Sequence, residues 1–208
     1  MKENKVIKGV LFFLEVFVLL FIASCSQKSF HTSEDLMVYV SNPENGYRQE
    51  KSINGVEYSI TYRPTDILVK QWLGDNPSQN DVDSLRKKYN KYMYFNFSLA
   101  KNKQEILNSL VTNKEDFGKM VNQLAFGMNE RVHLFSSNKD SIAIADYIYP
   151  RLYGMSGATS MLLVYPKDPK LMANEFFHFT VEDLGLATGE ISFKIPTKPI
   201  KNEPKLKF

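Results

Sequence analysis

The chain has 208 residues, a formal charge of +3 and a single cysteine, Cys25, so an internal disulfide framework and a cysteine-ligated metal site are both excluded. Residues 1–24 carry three Lys and two Glu, and residues 196–208 carry four Lys and one Glu, which leaves residues 25–195 at −1. No basic body remains to attract nucleic acid, and none is expected as a partner.

From the N-terminus, Lys2, Lys5 and Lys8 precede an apolar run of 14 residues, Val10 to Ala23, interrupted by Glu15. A spanning helix needs about 20 apolar residues to cross a hydrocarbon core of roughly 30 Å, so this run is too short. A basic start, a short apolar middle and small residues at its end have the form of a secretory leader. Ile22-Ala23-Ser24-Cys25 resembles the lipobox of a bacterial lipoprotein signal peptide. The resemblance implies removal of residues 1–24 and attachment of palmitate-type acyl chains to Cys25. Ser26 follows the cysteine where some bacteria place an Asp to retain lipoproteins in the inner membrane, so it implies the cell outer membrane. The segment Ser26-Gln27-Lys28-Ser29 lacks an acidic surface-export run, which favours the periplasmic side. The Asn/Lys/Tyr-rich composition is similar to that of Bacteroidota lipoproteins, and Asp83-Ser84-Leu85 and Asp140-Ser141-Ile142 are similar to the O-glycosylation sites of that group.

Residues 25–35 read as the lipidated Cys25 and a polar, flexible tether with a reach of about 17 Å. Leu36, Val38 and Val40 alternate like a strand, and Asn42 to Gly46 turns the chain. Tyr47–Ile53 and Val56–Tyr62 flank Asn54-Gly55, the pair that supplies two positive φ values to a tight hairpin. Asp66 is placed to cap a short helix through Leu73, and Asp81 to start a second containing Val82, Leu85, Tyr89 and Tyr92. Met93, Phe95, Phe97 and Leu99 alternate as a half-buried strand. Residues 101–111 suggest extended chain followed by a helical turn.

Thr112 to Glu115 has the spacing of a capping box, and Phe117, Met120, Val121 and Leu124 continue it as an amphipathic helix ending at Gly127. Strands are expected over 131–136, 141–149, 158–165, 176–182 and 190–195, with Asp183–Gly189 as a hairpin loop. Pro196, Pro199 and Pro204 among lysines read as a solvated, disordered basic tail over 196–208. Together these give one α+β domain over 36–195, with a largely antiparallel sheet and two or three helices.

The chemistry-bearing residues are sparse. His31, His133 and His178 show no local metal-ligand spacing, so no metal or other cofactor is expected. Gly154-Met155-Ser156-Gly157 departs from the G-x-S-x-G elbow of serine hydrolases and reads as a turn. An unbroken strand over 141–149 would point Asp146 into the core, with Arg131 or Arg151 to pair it; a β-bulge would return it to solvent. Asp146 and His178 are thus the two functional candidates. The leading expectation is a lipid-anchored, non-enzymatic accessory module. It would bind an envelope protein partner through an aromatic-rich sheet face or loops. The alternatives are an envelope hydrolase using Asp146 and His178, or a lipoprotein that stacks glycan on exposed tyrosines.

Overall fold

The computed structural model describes residues 27–74, 76–137 and 139–208; Cys25 and the leader lie outside them. In chain order the strands are β1 (Ser29–Phe30), β2 (Arg48–Ile53), β3 (Val56–Arg63), β4 (Tyr92–Lys101), β5 (Gln104–Glu105), β6 (Val132–Ser136), β7 (Ser141–Ile142), β8 (Asp146–Ile148), β9 (Thr159–Pro166), β10 (Phe176–Val181), β11 (Ile191–Pro196) and β12 (Lys205–Leu206). The helices are α1 (Ser33–Ser41), α2 (Thr65–Trp72), α3 (Gln79–Tyr89), α4 (Lys114–Asn122), α5 (Pro169–Ala173) and α6 (Thr197–Lys201). This is the expected α+β class, with six helices among the described residues rather than two or three, because α1 stands where a strand is expected and α5 and α6 are five-residue turns.

Two antiparallel sheets make the body. The larger runs β2-β3-β4-β9-β8 with β5 on β4, and the smaller runs β11-β10-β6-β7. Their inner faces meet through rings, with Phe95 6.2 Å from Phe177, Phe97 5.7 Å from Phe179, and Tyr165 6.4 Å from Phe179. Such pairs contribute about 1 kcal/mol each beyond the area they bury. Alternation supplies the faces: Val56, Tyr58, Ile60 and Tyr62 are buried on one side of β3, as expected. Asn54 (φ 52°) and Gly55 (φ 74°) join β2 to β3 in the expected register, Ile53 opposite Val56. The Asp183 carboxylate accepts from the Gly185, Leu186 and Gly189 amides and so closes the expected β10–β11 loop.

Beyond shifted helix caps (Asn113, not Thr112, caps α4), four expectations fail, each for a local reason. Residues 36–40 are helix, not strand. Thr32 accepts from the Asp35 amide at 3.1 Å to cap α1, Leu36 and Val40 are buried one turn apart, and Val38 is 73% exposed. The tether is therefore not ten loose residues, because Ser29 and Phe30 already pair with the C-terminus. Residues 196–208 are not a disordered tail. Ile200, Glu203, Pro204 and Leu206 are buried, and β12 runs parallel to β1. Finally, 141–149 is not one strand: β7 pairs with β6 in the small sheet, and β8 pairs with β9 in the large one.

Candidate functional site

The long strand β4 sets the geometry of the molecule. Ten residues at about 3.3 Å each separate its ends by roughly 30 Å. The Tyr92 end lies beside the C-terminal segment and the β1 strand paired with it: Lys167 N donates to Lys91 O, and Lys167 Nζ sits 3.7 Å from Glu203 Oε1. The Lys101 end turns through Asn102 and Lys103 into β5 and meets the loop 149–158. We refer to these as the anchored pole, because the first and last described strands are tied to each other there, and the distal pole.

At the distal pole Glu105 is 2% exposed, and its carboxylate turns under the loop. Its Oε1 accepts from the Gly154 amide at 3.1 Å and the Ser156 amide at 3.2 Å. The Met155 amide donates to Leu152 O, so Tyr153 (φ 54°) and Gly154 (φ 82°) are the central pair of a tight turn. Tyrosine at positive φ costs about 1–2 kcal/mol, and such strain persists only where the surroundings impose it. Here the imposing groups are Glu105 and Asn108, whose Oδ1 would lie 3.3 Å from a Cβ at Gly154. The loop tip that results is firm and apolar: Tyr153 is 74% exposed and Met155 82%. The Arg151 guanidinium lies over the rings of Tyr153 (4.8 Å) and Phe117 (5.8 Å). Burial, with the Glu105 charge nearby, pushes the Tyr149 hydroxyl up from its ordinary pKa.

A cavity of about 440 Å³ adjoins this loop on the outer face of the large sheet. Its floor is Ser59, Ser98 and Ala100, and its rim includes Arg48, Lys103 and Gly157. Ser59 and Ser98 hydroxyls lie 3.1 Å apart, and Arg48 Nη1 donates to Thr61 Oγ1. The lining is polar but carries no aligned nucleophile and base.

The sequence candidates are not brought together. Asp146 is exposed; its Oδ1 accepts from the Tyr147 amide, and it sits opposite Val164 on the outer face of the large sheet. His178 lies opposite Phe135 and Lys194 on the outer face of the small sheet, its Nδ1 3.4 Å from Ser192 Oγ. The two face away from each other across the body, and neither Arg131 nor Arg151 pairs with Asp146. Arg131 instead donates to Glu182 at 2.7 Å, and His133 Nε2 lies 3.0 Å from the other oxygen of Glu182. Those hydrogen bonds, His133 first and Arg131 second, hold the Glu182 carboxyl below its ordinary range. Ser156 donates its amide to Glu105 and its hydroxyl accepts from the Ala158 amide, so the 154–157 segment is the expected turn. Tyr47, Tyr58, Tyr62, Tyr94 and Tyr165 are buried, which removes five of the eleven tyrosines from a glycan-stacking platform.

Among the described residues no group of three or more His, Cys, Asp or Glu is placed to hold a metal ion, and no helix is long and apolar enough to cross a membrane. No protein-family model matches the chain, and neither curated proteins nor solved structures include a match to it.

Sequence reasoning missed Glu105 and did not single out Tyr153 among the eleven tyrosines. The available signal was a lone acid beginning an apolar triplet (Glu105-Ile106-Leu107) and a Tyr-Gly pair flanked by Arg151 and Met155.

Proposed function

We propose that the protein is a lipid-anchored envelope module, attached through Cys25, that binds a protein partner with its distal loop 149–158. The observation that carries this reading is Tyr153: an exposed ring on a strained backbone, fixed by a buried carboxylate about 30 Å from the anchored pole. Tyr, Met and Arg are residue types enriched at protein interfaces, and a pre-formed loop loses little ordering entropy on binding. The separation of Asp146 from His178 weighs against the hydrolase alternative.

The test is photo-crosslinking in cells. A photoreactive residue at position 153 should give a discrete adduct that Met155→Asp reduces about tenfold, in line with loss of one interface anchor. The same residue at Gln79, on the other pole, should not give that adduct. Identical products from both positions would end the distal-loop reading. Palmitate labelling that survives Cys25→Ala would end the anchoring part alone.

A further inference from the structure

The order of residues 27–30 has a geometric consequence for a chain acylated at Cys25. Gln27 Nε2 donates to Glu203 O at 2.7 Å, Lys205 N donates to Lys28 O, and Lys207 N donates to Phe30 O. Two residue steps separate Cys25 from Gln27, and extended chain covers at most about 7 Å over that length. Acyl chains on Cys25 therefore hold the β1–β12 edge of the body within one headgroup layer of the bilayer.

The surface around that exit is built for such a neighbour. Lys28, Lys87, Lys88, Lys91 and Lys205 are all exposed there. Two neighbouring carboxylates, Asp66 and Glu203, are buried and taken up by Arg86, Thr65, Tyr62, Lys167 and the Leu206 amide, while Glu34 and Asp35 stay exposed on α1. On α3 the charges are segregated along the helix: Asp81 and Asp83 stand in its first half, and Arg86, Lys87 and Lys88 in its last turn. Apolar rings lie among these cations. Trp72, the sole tryptophan, is 68% exposed with Lys88 Nζ 5.9 Å from its ring, and Phe208 is half-exposed over Arg86. Lysines beside exposed Trp and Phe are the composition of a membrane interface, where rings enter the headgroup layer and ammonium groups meet lipid phosphates.

We propose that the anchored pole is itself a membrane-docking surface, with Lys28, Lys87, Lys88, Lys91 and Lys205 on anionic phospholipid headgroups and Trp72 in the interfacial layer. This rests on acylation of Cys25. It adds that the body lies in a fixed orientation on the bilayer and presents loop 149–158 away from it.

The acylated protein, reconstituted into phosphatidylethanolamine–phosphatidylglycerol vesicles containing brominated lipid, carries its own probe in Trp72. We expect strong quenching of its fluorescence in these vesicles and weak quenching in phosphatidylcholine vesicles. Each lysine in contact with an anionic surface is worth about fivefold in equilibrium constant. The variant Lys87→Glu/Lys91→Glu/Lys205→Glu, which leaves the Trp72 neighbour Lys88 in place, should therefore lose most of the quenching. Quenching that ignores both the anionic lipid and the triple variant overturns the docking surface while leaving acylation intact. Mass spectrometry showing no acyl chain on a protein that is still quenched overturns the anchor and keeps the surface.

Discussion

The two poles use the same device for different ends. At the anchored pole Asp66 and Glu203 are buried carboxylates that join segments distant in sequence. Glu203 accepts from Tyr62 Oη at 2.8 Å, the Thr65 amide at 2.8 Å and Thr65 Oγ1 at 2.9 Å. Asp66 takes both Arg86 donors and the Leu206 amide. At the distal pole Glu105 accepts from two backbone amides of a single loop. A carboxylate that ties the last residues of the chain to α2 and β3 closes the fold. One that accepts only from a turn shapes a surface. The same chemistry thus separates global stability from local presentation, according to which elements supply the donors.

Three substitutions and one titration would break or sharpen that contrast. The largest effect is expected for Asp66→Ala, which strands Arg86 and the buried Leu206 amide. It should cost about 3–5 kcal/mol by chemical denaturation and release the C-terminus to proteolysis. Glu105→Ala should cost about 1–3 kcal/mol. In hydrogen exchange it should deprotect the Gly154 and Ser156 amides while those of Lys205 and Lys207 stay protected. If both regions open together, the poles are one cooperative unit and the contrast fails.

The titration probes the anchored pole. Burial pushes Tyr47 and Tyr94 up to about 12, and burial together with the Glu203 charge pushes Tyr62 up as well. The folded state then retains phenolic protons that the unfolded chain gives up near pH 10, so stability is complete below about pH 10 and declines towards about pH 12. Urea midpoints on either side of about pH 10 should show the decline, and Tyr62→Phe should flatten it. The smallest effect has the opposite sign. Tyr153→Asn relieves a positive φ that Asn tolerates, so it should stabilise by up to about 1 kcal/mol while reducing the adduct formed by a photoreactive residue placed at position 155.

What the sequence made legible follows from how local the determinants are. The β2–β3 hairpin was readable because Asn54-Gly55 carries its own turn geometry. β4, β9, β10 and β11 were readable because alternation survives wherever one face is buried. α1 was misread because Leu36, Val38 and Val40 fit a period of two as well as they fit a helix with Val38 outward; the deciding Thr32–Asp35 cap lay in residues taken for a tether. The capping of α2 and α3 was misplaced in a similar way. Asp66 is not a cap but a buried partner of Arg86, and Ser78 is the cap that Asp81 completes. The C-terminus was misread because prolines and lysines signal solvent, whereas Ile200, Glu203 and Leu206 find partners far away in sequence. The candidate site failed for the same reason. Strand phase turns Asp146 inward only if 141–149 is one strand, and the chain changes sheets between Ile142 and Asp146.

The parallel pairing of Ser29–Phe30 with Lys205–Leu206 brings the beginning and the end of the folded chain to one spot. A fluorescent protein or affinity tag fused after Phe208 would thus sit beside Ser29 and Phe30. Carboxypeptidase trimming past Leu206 would remove β12 and release β1 from its only strand partner among the described residues. Reporters intended to leave the molecule undisturbed belong away from both the C-terminus and loop 149–158, whose Gly157 backbone lies close to the Asn102-Lys103 turn.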